Sequence, residues 1–181
     1  AFDGLPGVRS AVSGFVGGAR PRPTYEQVVR GGTGYREAVL VTFDPTVISY
    51  RSLVDRYWRT IDPTDPTGQV CDQGPSYVTA VYATEAQTAA AEASRRAAQA
   101  ALGARGGAGF VTPVYPAMRF WPAGPEHQDF ARRHPGRYEA YRVGCGRSAR
   151  LRALWGAEVP TLDSVFARMA EGVQRWFAHQ T

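Results

Sequence analysis

The chain has 181 residues, of which 44% are hydrophobic and 20% charged, the size and balance of one globular domain with a full-sized core. Its net charge of +5 comes without any lysine: all 21 basic residues are arginine, so base-composition bias accounts for their number. They are scattered apart from the Arg132-Arg133 pair and the group from Arg142 to Arg152. No aromatic-basic stripe accompanies them, which argues against a nucleic-acid partner, and no apolar run approaches ~18 residues, which argues against a membrane span. Two cysteines, Cys71 and Cys145, are too few for a disulfide framework and leave open one bridge or two free thiols.

In chain order, residues 8–16 read as a strand ending at Gly17-Gly18, where the backbone is free to take positive φ. Pro21 and Pro23 stiffen a loop to Thr24, an N-cap for a short helix over residues 25–30. Gly31, Gly32 and Gly34 make a second turn before Glu37 and the apolar, β-branched run Ala38-Val39-Leu40-Val41-Thr42-Phe43, which reads as a buried strand. A carboxylate at the mouth of such a strand is costly unless it has partners or a job, the plainer reading being an exposed acid that ends a loop. Asp44-Pro45 ends the strand, and Ser49 caps a helix with Leu53, Val54, Tyr57, Trp58 and Ile61 on one core-facing side.

Residues 62–76, DPTDPTGQVCDQGPS, are too rich in Pro, Gly and Asp for regular structure and deliver Tyr77 to a strand over 77–82. Loops of this length are often functional. Thr84-Glu85-Ala86-Gln87 is a capping box opening an alanine-rich helix to about Leu102. Residues 110–115 read as a strand whose Pro113 suggests an edge or bulge, and residues 122–134 carry a short helix with Pro125 in its first turn. Thr161 caps a last helix with Leu162, Val165, Phe166, Met169, Val173, Trp176 and Phe177 at helical spacing, a face for the domain or for a partner helix.

Several familiar sites are excluded by their motifs. There is no phosphate-binding Gly-x-x-x-x-Gly-Lys, no Gly-x-Gly-x-x-Gly, no zinc spacing among cysteines and histidines, and no nucleophile elbow. What does stand out is a series: Leu5-Pro6-Gly7-Val8, Gly17-Gly18, Pro23-Thr24-Tyr25, Gly34-x-x-Glu37-Ala38-Val39, Phe43-Asp44-Pro45, Ile48-Ser49-Tyr50, Asp62-Pro63-Thr64, Asp72-x-Gly74-x-x-Tyr77, Phe120-Trp121-Pro122-Ala123 and His127-Gln128. In this order the motifs closely resemble the A-type peptide-methionine sulfoxide reductases, which reduce the S epimer of methionine sulfoxide.

The resemblance implies an α+β single domain over residues 1–156, with a central mixed β-sheet flanked by helices, and a C-terminal helical extension over 157–181. It implies an oxidoreductase for protein repair under oxidative stress, acting on oxidised protein or peptide methionine. No bound cofactor or metal is implied, and the electron donor is thioredoxin, or dithiothreitol in vitro. The expected molecule is a bacterial cytoplasmic monomer, export being open if the chain is preceded by more sequence. By position Glu37 matches the acid that protonates or hydrogen-bonds the sulfoxide oxygen, with a pKa raised by partial burial. Tyr25 and Tyr77 match the two phenols on the same oxygen, and Asp72 the carboxylate that orders the site. Cys145 falls where relatives carry a resolving cysteine in a mobile, glycine-rich segment, the alternative being a small buried cysteine. Cys71 is a weaker thiol candidate, read foremost as a packing residue.

The sequence departs from the family at its most diagnostic motif. Gly-Cys-Phe-Trp-Gly, which carries the attacking thiolate, lies just upstream of the Leu-Pro-Gly-Val segment in this family, and Ala1-Phe2 falls after it. Gly34-Tyr35-Arg36-Glu37 stands where Gly-His-Ala-Glu is usual, and Ser76-Tyr77-Val78-Thr79 where Gln-Tyr-Arg-Ser is usual. Two histories fit: an amino-terminally trimmed active reductase, or a diverged, non-catalytic relative that binds through the retained pocket. The joint presence of Tyr25, Glu37, Asp72 and Tyr77 favours the first.

Overall fold

A computed structural model describes residues 1–107 and 109–156. The elements run β1 (Val8–Val16), α1 (Tyr25–Arg30), β2 (Arg36–Phe43), α2 (Tyr50–Trp58), β3 (Gly68–Gln69), β4 (Asp72–Gln73), a 3-10 turn at Pro75–Tyr77, β5 (Val81–Ala83), α3 (Glu85–Gly103), β6 (Val114–Pro116), β7 (Phe120–Pro122), a second 3-10 turn at Pro125–His127, α4 (Phe130–Arg133), α5 (Pro135–Gly144) and α6 (Arg147–Trp155). This is an α+β fold, its strands pairing both antiparallel and parallel in three small sheets. The largest, in order β2-β1-β7, is antiparallel; β3 and β4 form a hairpin; β5 and β6 pair in parallel. The expected helix after Thr161 lies outside the described residues.

The local signals act as expected where they are caps and turns. Thr24 accepts from the Gln27 amide while Gln27 reaches back to the Thr24 amide, a closed capping box. Ser49 accepts from the Ser52 amide at 3.0 Å, and Thr84 with Gln87 closes a second box. Gly14 lets β7 approach β1: a Cβ there would lie 2.2 Å from the Trp121 carbonyl oxygen. Beyond Gly14 the ladder is continued by a side chain, since Gln128 accepts from the Ser13 amide and donates to the Ser13 carbonyl.

Two cores hold these elements. In the larger, Val54 and Trp58 of α2 pack with Ala98 and Leu102 of α3 and with Leu151, Leu154 and Trp155 of α6. Each large side chain buried there contributes about 1.5–3 kcal/mol. The indole nitrogens are satisfied, Trp58 by Ser94 Oγ at 2.8 Å and Trp155 by the Ile61 carbonyl at 3.1 Å. The smaller core places Phe15, Val28 and Tyr35 between α1 and the sheet, with Trp121 and Ala123 alongside.

Besides the strand expected over 110–115, which is confined to β6 at Val114–Pro116, three sequence expectations change. The run from Ala38 to Phe43 is a strand, but none of its residues is buried, and Val39 and Leu40 are about half exposed at 50% and 48%. It is the outer strand of its sheet, and the α2–α3–α6 layer packs on itself and on β5 and β6 instead. Residues 77–82 split into a 3-10 turn and the short β5, because Pro75 starts a turn and Val81 pairs only from Val114 onward. The 62–76 stretch is ordered rather than irregular. Asp62 and Asp65 each accept from the backbone and hydroxyl of the threonine two residues on, forming consecutive Asx turns, and the β3–β4 hairpin follows.

Candidate active site

The four residues that the motifs single out come from four elements. Tyr25 is the first residue of α1, and Glu37 is the second of β2, opposite Phe15 in the ladder. Asp72 opens β4, and Tyr77 closes the 3-10 turn that packs against β2. Three glycines with positive φ, Gly31, Gly32 and Gly34, turn the chain from α1 into β2 and so set Glu37 near Tyr25.

Electrostatically the four behave as one cluster. The Glu37 pKa is raised, first by lost hydration and then by the Asp72 charge, with His127 weakly opposing. Tyr77 is pushed up to about 12 by lost hydration, then by Glu37, Tyr25 and Asp72. Tyr25 is raised by lost hydration, then by Glu37, Asp72 and Glu26. Glu37 is nevertheless open to solvent on one side. The protein packed around the rest of its carboxyl disfavours the charge, while water at the open side shares it. The arrangement couples two neutral phenols to a carboxyl of raised pKa, with Tyr25 and Glu37 both open to solvent. Such donors suit an oxygen acceptor that gains negative charge.

Residues without an assigned role in the sequence reading support the cluster. His127 stacks on Tyr25 with ring centroids 4.1 Å apart and planes 26° from parallel, holding a phenol that is itself 39% exposed. Tyr141 of α5 donates to Asp72 Oδ2. Stacking across separate turns, or a contact 69 residues away in sequence, leaves no periodic signal from which either role could be read.

The cysteines correct the reading most. Cys71, expected foremost as a packing residue, is solvent-exposed at the tip of the β3–β4 hairpin and forms a disulfide with Cys145, Cα atoms 5.4 Å apart. Cys145 sits between Gly144 and Gly146. It caps α5, and Gly146 in the left-handed region turns the chain directly into α6. The cysteine pair and the carboxylate site are neighbours, because Asp72 follows Cys71. A shallow groove lined by Asp62, Asp65, Val70, Cys145 and Arg150 opens beside the disulfide rather than over Glu37. Among the described residues no cluster of His, Cys, Asp and Glu could hold a metal ion, and no helix is long and apolar enough to cross a membrane.

A family model described as peptide methionine sulfoxide reductase matches residues 1–159. The chain belongs to this family. It is 48% identical over 156 residues to the peptide methionine sulfoxide reductase MsrA 2 of Rhizobium meliloti, covering 86% of this chain and 76% of that protein. A protein of the same name from Caulobacter vibrioides is 47% identical over 155 residues, covering 86% and 78%. Among solved structures, methionine sulfoxide reductase A of Corynebacterium diphtheriae superposes with a TM-score of 0.68 at 31% identity, over 74% of this chain and 68% of that one.

Proposed function

We propose that this reductase-family chain builds the sulfoxide-oxygen side of a methionine-S-sulfoxide reductase site, with Glu37 as proton donor, Tyr25 and Tyr77 as hydrogen-bond donors to the same oxygen, and Asp72 as the carboxylate that orders the site. The observation that carries this reading is that Glu37, Tyr25 and Tyr77, from separate elements, are each raised by lost hydration and by the charge of Asp72. A sulfoxide oxygen becomes a hydroxyl as the S–O bond is lost, so it is best met by donors that are already neutral and already aimed.

In this reading the attacking thiolate comes from the Gly-Cys-Phe-Trp-Gly segment that the resemblance puts upstream of Leu5. It attacks the sulfoxide sulfur, the oxygen takes its proton from Glu37, methionine leaves, and the cysteine becomes a sulfenic acid. Once a dithiol has reduced the Cys71–Cys145 disulfide to two thiols, Cys145 is the candidate second thiol, which condenses with the sulfenic acid to a disulfide and water. Thioredoxin, or dithiothreitol in vitro, then returns the sulfurs to thiols.

The test is the intact mass of the protein made from its native gene, followed by a dithiothreitol-driven assay on a peptide containing methionine-S-sulfoxide. The expected result is turnover that Glu37→Gln abolishes. A native protein without the upstream motif and without turnover overturns the catalytic reading. If such a protein still binds the sulfoxide peptide, the site is that of a binding module.

A further inference from the structure

We propose that Tyr141 is a positioning residue for Asp72, and that the Cys71–Cys145 disulfide is the clamp that keeps it there, so that the redox state of this cysteine pair is read out at the sulfoxide-oxygen site. What Asp72 does is taken from the proposed function; what holds Asp72 is read from side-chain geometry alone.

The contacts close a ring. Tyr141 Oη donates to Asp72 Oδ2. Asp72 directly follows Cys71, Cys71 is bonded to Cys145, and the Cys145 amide donates to the Tyr141 carbonyl at 2.9 Å. Tyr141 and Cys145 are one helical turn apart, so both side chains leave the same face of α5 toward the hairpin. One covalent tether and one hydrogen bond thus join a single helix turn to two consecutive hairpin residues.

The hydrogen bond needs the tether. Tyr141 is 40% exposed, so water competes for both partners and a lone phenol–carboxylate contact in such a place is weakly populated. Apart from these two tethers α5 packs chiefly on α4 and α6. The disulfide turns the meeting of Tyr141 with Asp72 into an intramolecular event at high effective concentration. Burial and the bond to Asp72 raise the Tyr141 phenol, against the opposing charge of Arg147, so it remains a donor across the neutral range.

With Oδ2 engaged, the Asp72 carboxylate is fixed relative to the groups that feel its charge: Glu37 on β2, Tyr25 on α1 and Tyr77 on the 3-10 turn. His127, from the second 3-10 turn, is the opposing group at Glu37. Releasing Tyr141 frees Asp72 to turn toward solvent, which relieves Glu37 of a like charge.

A small dithiol reverses the clamp. Its first thiolate attacks one sulfur of the pair, breaking the Cys71–Cys145 bond and forming a mixed disulfide. Its second thiol then displaces the remaining protein sulfur, leaving two protein thiols and a cyclic disulfide, the electron pair coming from the dithiol. Exposure of Cys71 and the groove beside Cys145 give the attacking thiolate access.

The experiment is a 13C NMR titration of the Glu37 carboxyl in four samples: the disulfide form, the form reduced with dithiothreitol, Tyr141→Phe and Asp72→Asn. Reduction and Tyr141→Phe should each move the Glu37 midpoint down toward the ordinary carboxylate range, in the direction of Asp72→Asn. Tyr141→Phe should add nothing in the Asp72→Asn background. A Glu37 midpoint that Tyr141→Phe leaves in place overturns the positioning role. One that moves in Tyr141→Phe but not on reduction, nor in Cys71→Ser/Cys145→Ser, overturns the clamp. Neither readout requires turnover, so both stand apart from the sulfoxide assay of Glu37→Gln.

Discussion

Replacing both bridged cysteines by serine should destabilise the protein by about 2–4 kcal/mol. The bond joins residues 74 apart, and closing a loop of that length removes unfolded-chain entropy worth about 4 kcal/mol at 25 °C. Part of this is returned. Val70, next to the bridge, holds φ at 61°, a left-handed conformation that costs a β-branched residue on the order of 1 kcal/mol and can relax once the hairpin tip is released. Urea unfolding followed by tryptophan fluorescence reads the change directly, because Trp58 and Trp155 sit in the larger core. With a slope of roughly 2 kcal/mol per molar, the midpoint should fall by about 1–2 M. Unmodified protein in excess reductant should unfold at the same midpoint as the double variant. If reduction and the double variant both leave the midpoint unchanged, the bridge does not restrain the unfolded chain and the calculation fails.

Glu37→Gln should lower sulfoxide turnover by at least about a hundredfold. If the protonated form of Glu37 is the donor, as proposed, kcat/KM of the unsubstituted protein should fall as pH rises through its raised pKa, a limb that a pH–rate profile of the variant lacks. Trp58→Ala should cost about 3–5 kcal/mol in urea unfolding, since the ring is 1% exposed and packs edge-on to Phe110 at 5.3 Å. Gly14→Ala should cost about 1–3 kcal/mol, because its Cβ would meet the Trp121 carbonyl oxygen at 2.2 Å and the Phe120 ring at 2.4 Å; a thermal melt checks it. The Asp44 carboxyl is held at about 2 by the Thr46 hydroxyl first and then by Arg9. Its folded pKa lies below the unfolded one, so the stability it adds is present above the ordinary aspartate range and is lost as pH falls through about 2. Carboxyl NMR titration should show that depressed midpoint, and Asp44→Asn should flatten this part of the acid dependence.

What could be read from the sequence was local, or was ordered along it. Thr24, Ser49 and Thr84 cap their helices because a cap is decided within four residues, and β1 ends at Gly17, where φ is 100°. Tyr25, Glu37, Asp72 and Tyr77 stand out through the order of their motifs, and in the structure Glu37 and both phenols feel the charge of Asp72. Burial of β2 was not legible, since an apolar run such as Ala38-Val39-Leu40 carries no record of which layer lies over it. The Cys71–Cys145 bridge was the single pairing two cysteines allow, yet nothing in the residues around Cys145 announced a helix cap beside a hairpin tip.

The same limit applies to Tyr141, whose partner lies 69 residues away in sequence, and it bears on how the site is built. Glu37 and Asp72 are like charges brought close, an arrangement that costs stability unless something holds the second carboxylate where the first needs it. The holding group does not come from the hairpin itself: the Gln69 side chain is bonded to Asp62 and Gly68, and the Gln73 side chain to Thr67 and Val70. It comes instead from α5, whose register toward Asp72 is set by the cysteine one turn further on. In the proposed mechanism, which ends in thiol exchange, the ordering carboxylate is thus adjacent in sequence to a bond that thiol exchange can open.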